Sequence, residues 1–410
     1  MKRVVIIGAG TGGIILANAL SKKLKAEMKG GRLEIVVFDG SESHVYQPGN
    51  IDIAFRGADP KIFRRPITQL LSREVRLFKR PVSRIELDNR AVIYDSGLKM
   101  DYDYLVVATG SVAAPETIPG LAEASLNFHR SQEDARRVWE ALSTFRRGRI
   151  VVLTALPHKC PPSPVEAVFL IDELMRKKGI RDEVEIAYAT PYTRAYPAHG
   201  IADVVEPEME KRGITTYTLF NIDYVDPSTK KIYSLEREEL AYDLLIAIPP
   251  HRGAEVVINS GIGGEEGWIP TDKRTLKIRG LDDAYAIGDA TDIPISKSGV
   301  VAHLEAITTA ESIASQIHGM GKVYLYNGRI NCPLEMGGRR AVFVSGTYTR
   351  QPERQNPSIA KYLMKRLFNR LYWTMLSGAL EPIFNIYLGP PYDVNEGAEG
   401  VEEVSRDRPV

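Results

Sequence analysis

The run Gly8-Ala9-Gly10-Thr11-Gly12-Gly13 constrains this chain more than any other feature. It follows the apolar stretch KRVVII at 2–7 and precedes Ile14, Ile15, Leu16, Ala19, Leu20 and Leu24, spaced as one face of a helix. LEIVVF at 33–38 then reads as a second strand and closes a βαβ unit. In that setting Gly8 permits the tight turn, Gly10 lets backbone amides approach a pyrophosphate, and Gly13 allows close helix–strand packing. Thr11 and Gly12 open the helix whose N-terminus faces the phosphate charge. Asp39, followed by Gly40, ends the second strand where ribose hydroxyls would lie. A strand–helix turn without any ligand is the bland alternative.

Two later segments specify the dinucleotide. Ala108-Thr109-Gly110 ends a buried strand and resembles the second glycine motif of two-dinucleotide flavoproteins. Tyr285-Ala286-Ile287-Gly288-Asp289-Ala290 resembles their late motif, whose aspartate accepts hydrogen bonds from the ribityl and phosphate region of the flavin. The three motifs in this order point to FAD. Lys297, just before Gly299 and a helix from about residue 301, is either a cation for the reduced flavin or a solvated loop charge.

A second βαβ unit starts at RIVVL, 149–153, and continues through a helix near 164–178 and a strand near 183–189. The expected class is α/β, with two nested Rossmann-like FAD/NAD(P)-type domains and a C-terminal membrane-associating module. Residues 1–110 and 240–320 are assigned to the FAD domain and 111–239 to the second domain, which carries Cys160. Residues 321–410 hold Cys332, amphipathic helices and a loose tail. Two to three domains suit 410 residues.

The net charge of +1 supplies no electrostatic case for nucleic acid. No apolar run reaches membrane-spanning length. Lys2 and Arg3 precede only a short apolar run, so the N-terminus reads as a first strand rather than an export signal. No metal site is expected.

The turn after the second unit's first strand lacks glycine. It reads Thr154-Ala155-Leu156-Pro157-His158-Lys159-Cys160-Pro161-Pro162. Prolines remove amide donors and hold phosphates off, so a nicotinamide nucleotide site is not expected. A cysteine stands there instead, near a topological switch point. The chain's other cysteine, Cys332, lies in Arg329-Ile330-Asn331-Cys332-Pro333-Leu334-Glu335. Beside a flavin, two such thiols suit a redox-active pair; two inert buried thiols are the alternative.

Over most of residues 1–390 the sequence resembles the sulfide:quinone oxidoreductases and their relatives, the flavocytochrome c sulfide dehydrogenases. The likeness rests on GAGTGG, ATG, AIGDA, the Lys159–Glu166 segment and INCPLEMGG. It implies that Cys160 and Cys332 form the redox pair, with Cys332 against the flavin. It implies further that sulfide attacks a disulfide or sulfur-bridged pair, and that sulfur leaves from Cys160 as polysulfide or elemental sulfur. Glu166 and His199 match family positions and are candidate bases. Their alternatives are an exposed first-turn helix residue and a turn residue before a helix. Many members carry a third cysteine near the position of Leu126–Ser131; this chain has none there. Flavin attachment through that residue is therefore impossible here.

Residues 361–384 place Leu363, Leu367, Leu371 and Met375 at helical spacing, widened by Phe368, Tyr372 and Trp373. Lys361, Lys365, Arg366 and Arg370 supply positive charge. An amphipathic basic helix suits a membrane surface from which a quinone reaches the flavin, with Tyr372, Trp373 and Phe384 as candidate quinone contacts. Packing on the protein's own core or on a second subunit is the alternative, and a homo-oligomer is left open. The expected protein is a peripheral membrane sulfide:quinone oxidoreductase on the cytoplasmic face. Two rivals stand beside it. One is a type II NADH:quinone oxidoreductase, which needs the missing second glycine motif. The other is a non-catalytic flavoprotein with a structural or sensing disulfide.

Overall fold

A computed structural model describes residues 1–381 and 389–396. Its first sheet is fully parallel, with strands in the order 284–286, 104–107, 2–7, 33–38 and 76–78. Val4–Ile7 is buried on both faces, which explains its unbroken apolar run. The helices Thr11–Lys23 and Gly299–His318 cover one face, and an antiparallel three-stranded sheet over 82–101 packs toward the other. The first and last cofactor motifs are thus carried at strand ends of one sheet, each running into a helix.

The second sheet orders its strands 214–217, 184–189, 148–154 and 244–248, again all parallel. This moves a domain boundary. Leu244–Ile248, assigned by sequence to the FAD domain, pairs in register from Ile150↔Leu244 to Thr154↔Ile248. LLIAI would suit a central position in either sheet, and only pairing decides between them. A short ladder of Ser111–Ala113 with His251–Gly253 lies at the crossing between the two units. The Pro162–Lys177 helix packs on the second sheet and presents its first turn to the site.

In the C-terminal module, Lys322–Tyr326 pairs with Tyr392–Glu396, and Ile330–Glu335 forms a hairpin with Ala341–Gly346. That hairpin places Cys332 opposite Val344. The Ile359–Leu376 helix follows, capped by the Ser358 hydroxyl, which accepts from the Lys361 amide. Its apolar residues divide into two groups. Ile359, Leu363, Met364 and Leu367 are exposed, whereas Tyr372 and Leu376 are buried against the first domain. Among the described residues no helix is long and apolar enough to cross a membrane. Phe384 and the residues after 396 lie outside the described set.

Candidate active site

The glycine turn is built by steric necessity. Gly8 has φ +102°, and a Cβ there would lie 2.4 Å from the Ala108 carbonyl oxygen. A Cβ on Gly13 would lie 1.9 Å from the Gly8 oxygen, so Gly13 serves helix–strand packing, as its position implied. Gly10 has nothing within 4 Å of its missing side chain and faces open space. The Asp39 carboxylate accepts from the amides of Ala9 (2.6 Å) and Ser41 (2.7 Å), which locks the turn to the second strand. A Cβ on Gly40 would meet Pro81 at 3.5 Å, and Gly40 lies beside the cavity rather than in its wall.

A cavity of about 610 Å³ extends from this turn past Thr109, Gly110, Gly288 and Asp289 to both cysteines and the C-terminal helix. Two features of its wall fit a bound dinucleotide. The Thr109 hydroxyl is buried without a partner, and the bare Gly10 backbone lies open to the cavity. Gly288 donates its amide to Glu305 at 2.6 Å, which fixes the last motif. Burial raises the Glu305 carboxyl to about 8.

Lys297 lines the cavity and is held there by protein contacts. Its ammonium donates to the Thr291 carbonyl at 2.5 Å and lies 4.9 Å from the Trp268 ring centroid. It is therefore not a solvated loop charge. Its carbonyl accepts from the Cys160 amide at 2.8 Å, joining the cofactor loop to the cysteine loop.

Cys160 and Cys332 both line the cavity, but from different elements and as free thiols, not as a disulfide. Cys160 has φ +55°, a left-handed conformation that costs a non-glycine residue energy and is found at functional sites. Burial pushes its thiol up to about 12, with Cys332 and Glu166 adding to the effect. Cys332 is buried in its strand, and its sulfur lies 3.3 Å from the Ser298 hydroxyl. Burial raises its pKa as well.

Glu166 is not an exposed first-turn residue. It is 4% exposed, accepts from the Glu335 amide at 2.8 Å and is ion-paired to Lys365. Lys365 also meets Glu335 at 3.3 Å, and Glu335 is paired to Arg56. Burial raises the Glu166 pKa, and Glu335 adds to the effect. Lys365, expected on a basic outer face, is therefore an interior residue. His199 is exposed at the start of the His199–Lys211 helix and does not line the cavity.

The site also contains residues that sequence reasoning passed over. His129 lines the cavity, with Nε2 2.8 Å from the Ser163 hydroxyl and Nδ1 buried without a partner. Burial holds its pKa well below the usual imidazole value. His44 bridges the Ala9 carbonyl (3.0 Å) and the Tyr372 hydroxyl (2.7 Å). Tyr372 also meets the Thr11 hydroxyl at 2.8 Å, so it ties the C-terminal helix to the glycine turn while lining the cavity. Trp373 packs under Arg65 and is not in the cavity wall. His129 lies in the segment noted for its missing cysteine, and that was the one available signal.

Residues 2–154 match the family described as pyridine nucleotide-disulphide oxidoreductase. The chain is 24% identical over 391 residues to the mitochondrial sulfide:quinone oxidoreductase of Mus musculus, covering 91% of this chain and 86% of the mouse protein. Against the sulfide-quinone reductase of Aquifex aeolicus the identity is 22%, over 93% of each chain. The chain is homologous to the sulfide:quinone oxidoreductases. The solved structure of the Aquifex aeolicus sulfide:quinone oxidoreductase shares the fold, with a TM-score of 0.86 at 20% identity, covering 98% of this chain and 99% of that one. The chain is an FAD-dependent oxidoreductase, and FAD is the cofactor for which the cavity's glycine-lined end is shaped.

Proposed function

We propose that the protein oxidises sulfide through Cys160 and Cys332 and passes two electrons by way of FAD to a membrane quinone. The observation that carries this reading is the single cavity shared by the dinucleotide cradle, both cysteines and the C-terminal helix. The glycine-free, proline-rich turn at 154–162 supports it against NADH as donor.

FAD, when bound, supplies a two-electron acceptor that a quinone reoxidises. The rest falls to the protein. Hydrosulfide attacks Cys160 Sγ of the oxidised, sulfur-bridged pair. The bond toward Cys332 breaks, a persulfide stays on Cys160, and Cys332 leaves as thiolate. The hydrosulfide proton passes to a base. The persulfide and the Cys332 thiolate then lose two electrons and join again, with the bridge one sulfur atom longer. Further sulfide releases the accumulated sulfur from Cys160 as polysulfide.

His129 suits the role of base better than His199, because it is in the cavity wall with an open nitrogen and a hydroxyl partner on the helix that follows Cys160. Glu166 anchors three elements instead, since Lys365 and the Glu335 amide occupy its carboxylate. Exposed Ile359, Leu363, Met364 and Leu367, with Lys361 and Arg370 on the same helix, form the surface that rests on the membrane. Tyr372 faces the quinone from that helix.

Substituting either cysteine tests the route. Cys160→Ser and Cys332→Ser should each retain FAD and lose reduction of the flavin by sulfide. Full sulfide reduction in Cys332→Ser would overturn the mechanism.

A further inference from the structure

Lys159 is a buried cation in the cavity wall that none of the steps proposed above uses. It is 7% exposed, lines the cavity and immediately precedes Cys160. Its ammonium donates to the Gln47 side-chain oxygen at 2.8 Å. It also forms an ion pair with Asp289 at 3.6 Å, beyond hydrogen-bond distance. A neutral amide thus holds the ammonium in place, and Asp289 balances its charge without taking up one of its hydrogen-bond donors. A buried ammonium with spare donors favours an anion beside it.

The surroundings make that charge distinctive. Cys332 and Glu166 both disfavour an anionic sulfur on Cys160, and Lys159 is the charged group that favours one. Lys159 in turn faces Asp289, His129 and His251, with His158 next to it in the chain. Burial keeps the three imidazoles below their ordinary pKa, and His251 falls to about 3. None of them carries positive charge at neutral pH. Lys297 directs its ammonium at the Thr291 carbonyl.

We propose that Lys159, held by Gln47, is the anion-binding residue of the sulfur site, receiving hydrosulfide and then the persulfide anion on Cys160. The sulfide part of this assignment rests on the function proposed above. The part concerning the Cys160 thiolate does not.

The test uses thiol-reduced, FAD-loaded protein in wild-type, Lys159→Met, Lys159→Arg and Gln47→Leu forms. Iodoacetamide labelling of Cys160, read by peptide mass across about pH 7 to 10, reports its thiolate. Lys159→Met should label about tenfold more slowly, with its pH profile displaced upward by about one unit. Lys159→Arg should recover most of the rate, and Gln47→Leu should move part-way toward Lys159→Met. The sulfide concentration for half-maximal flavin bleaching should rise about tenfold in Lys159→Met, while Lys159→Arg stays near wild type. Unchanged labelling and unchanged half-saturation in Lys159→Met would overturn the proposal. If sulfide bleaches none of the forms but labelling still depends on Lys159, the proposed function fails and the thiolate partnership stands. If Lys159→Met does not retain FAD, the Gln47→Leu profile decides, and a wild-type profile there counts against the proposal.

Discussion

Lys365, on the C-terminal helix, is ion-paired inside the protein to Glu166, on the helix that begins two residues after Cys160. The same ammonium reaches Glu335, three residues beyond Cys332 on its strand. One cation therefore joins the C-terminal helix to the helix that follows Cys160 and to the strand that carries Cys332. Burial works against its charge, but Glu166 and Glu335 outweigh that effect and hold Lys365 protonated. Arg56 and Asp52 extend the cluster to the Gly49–Arg56 helix, and Arg366 closes it from the C-terminal helix.

Removing Lys365 leaves two buried carboxylates facing one another. Lys365→Met should cost about 3–5 kcal/mol in denaturant unfolding, far more than loss of a surface pair. Lys365→Arg should retain part of that stability. A loss below about 1 kcal/mol would mean that the cluster is not a structural junction.

Glu305 gives a pH signature. Its pKa rises from 4.5 in the unfolded chain to about 8 in the folded one through burial. Its contribution is fully present below the unfolded value and is lost as pH rises through about 8. Glu305→Gln keeps an acceptor for the Gly288 amide and removes that loss. With FAD held constant, the variant should gain on wild type by roughly 3 kcal/mol as pH rises from about 4.5 to 7. Parallel stability curves would contradict a neutral buried carboxyl.

The exposed strip on the C-terminal helix allows the proposed membrane docking to be tested apart from the chemistry. Leu363→Glu with Leu367→Glu removes two exposed leucines, each worth about 1.5–3 kcal/mol on burial. Co-sedimentation with anionic vesicles should fall roughly a hundredfold or more. FAD content and flavin reduction by sulfide should not change, because both residues point away from the cavity. Unaltered vesicle binding would relocate the membrane surface.

What the sequence revealed followed the range of the interactions. The glycine turn is legible because Gly8, Gly13 and Asp39 act on one another through steric and hydrogen-bond rules confined to one βαβ unit. Cys160 stands out in its glycine-free turn and Cys332 in its strand-like segment, and the structure has both line one cavity without bonding them. Lys365 read as one of four cations on an amphipathic helix, since Glu166 lies 199 residues away and nothing local marks the inward turn. His199 looked suitable within its short motif, but it starts a helix at the surface, while Gly200 beside it packs against the Pro352–Arg354 segment. His129 becomes visible only when the 126–131 segment is laid against the Pro162–Lys177 helix. LLIAI at 244–248 is legible as a strand but its sheet is not, because burial on both faces fixes a strand's character and not its neighbour.

The most direct test of the central claim is anaerobic mixing of the FAD-loaded protein with sulfide, and separately with NADH, followed at the flavin's visible absorbance. Rapid bleaching by sulfide, with NADH inactive and a quinone restoring the colour, is the predicted result. Bleaching by NADH with sulfide inactive would contradict it, and would return Cys160 and Cys332 to a structural or sensing role.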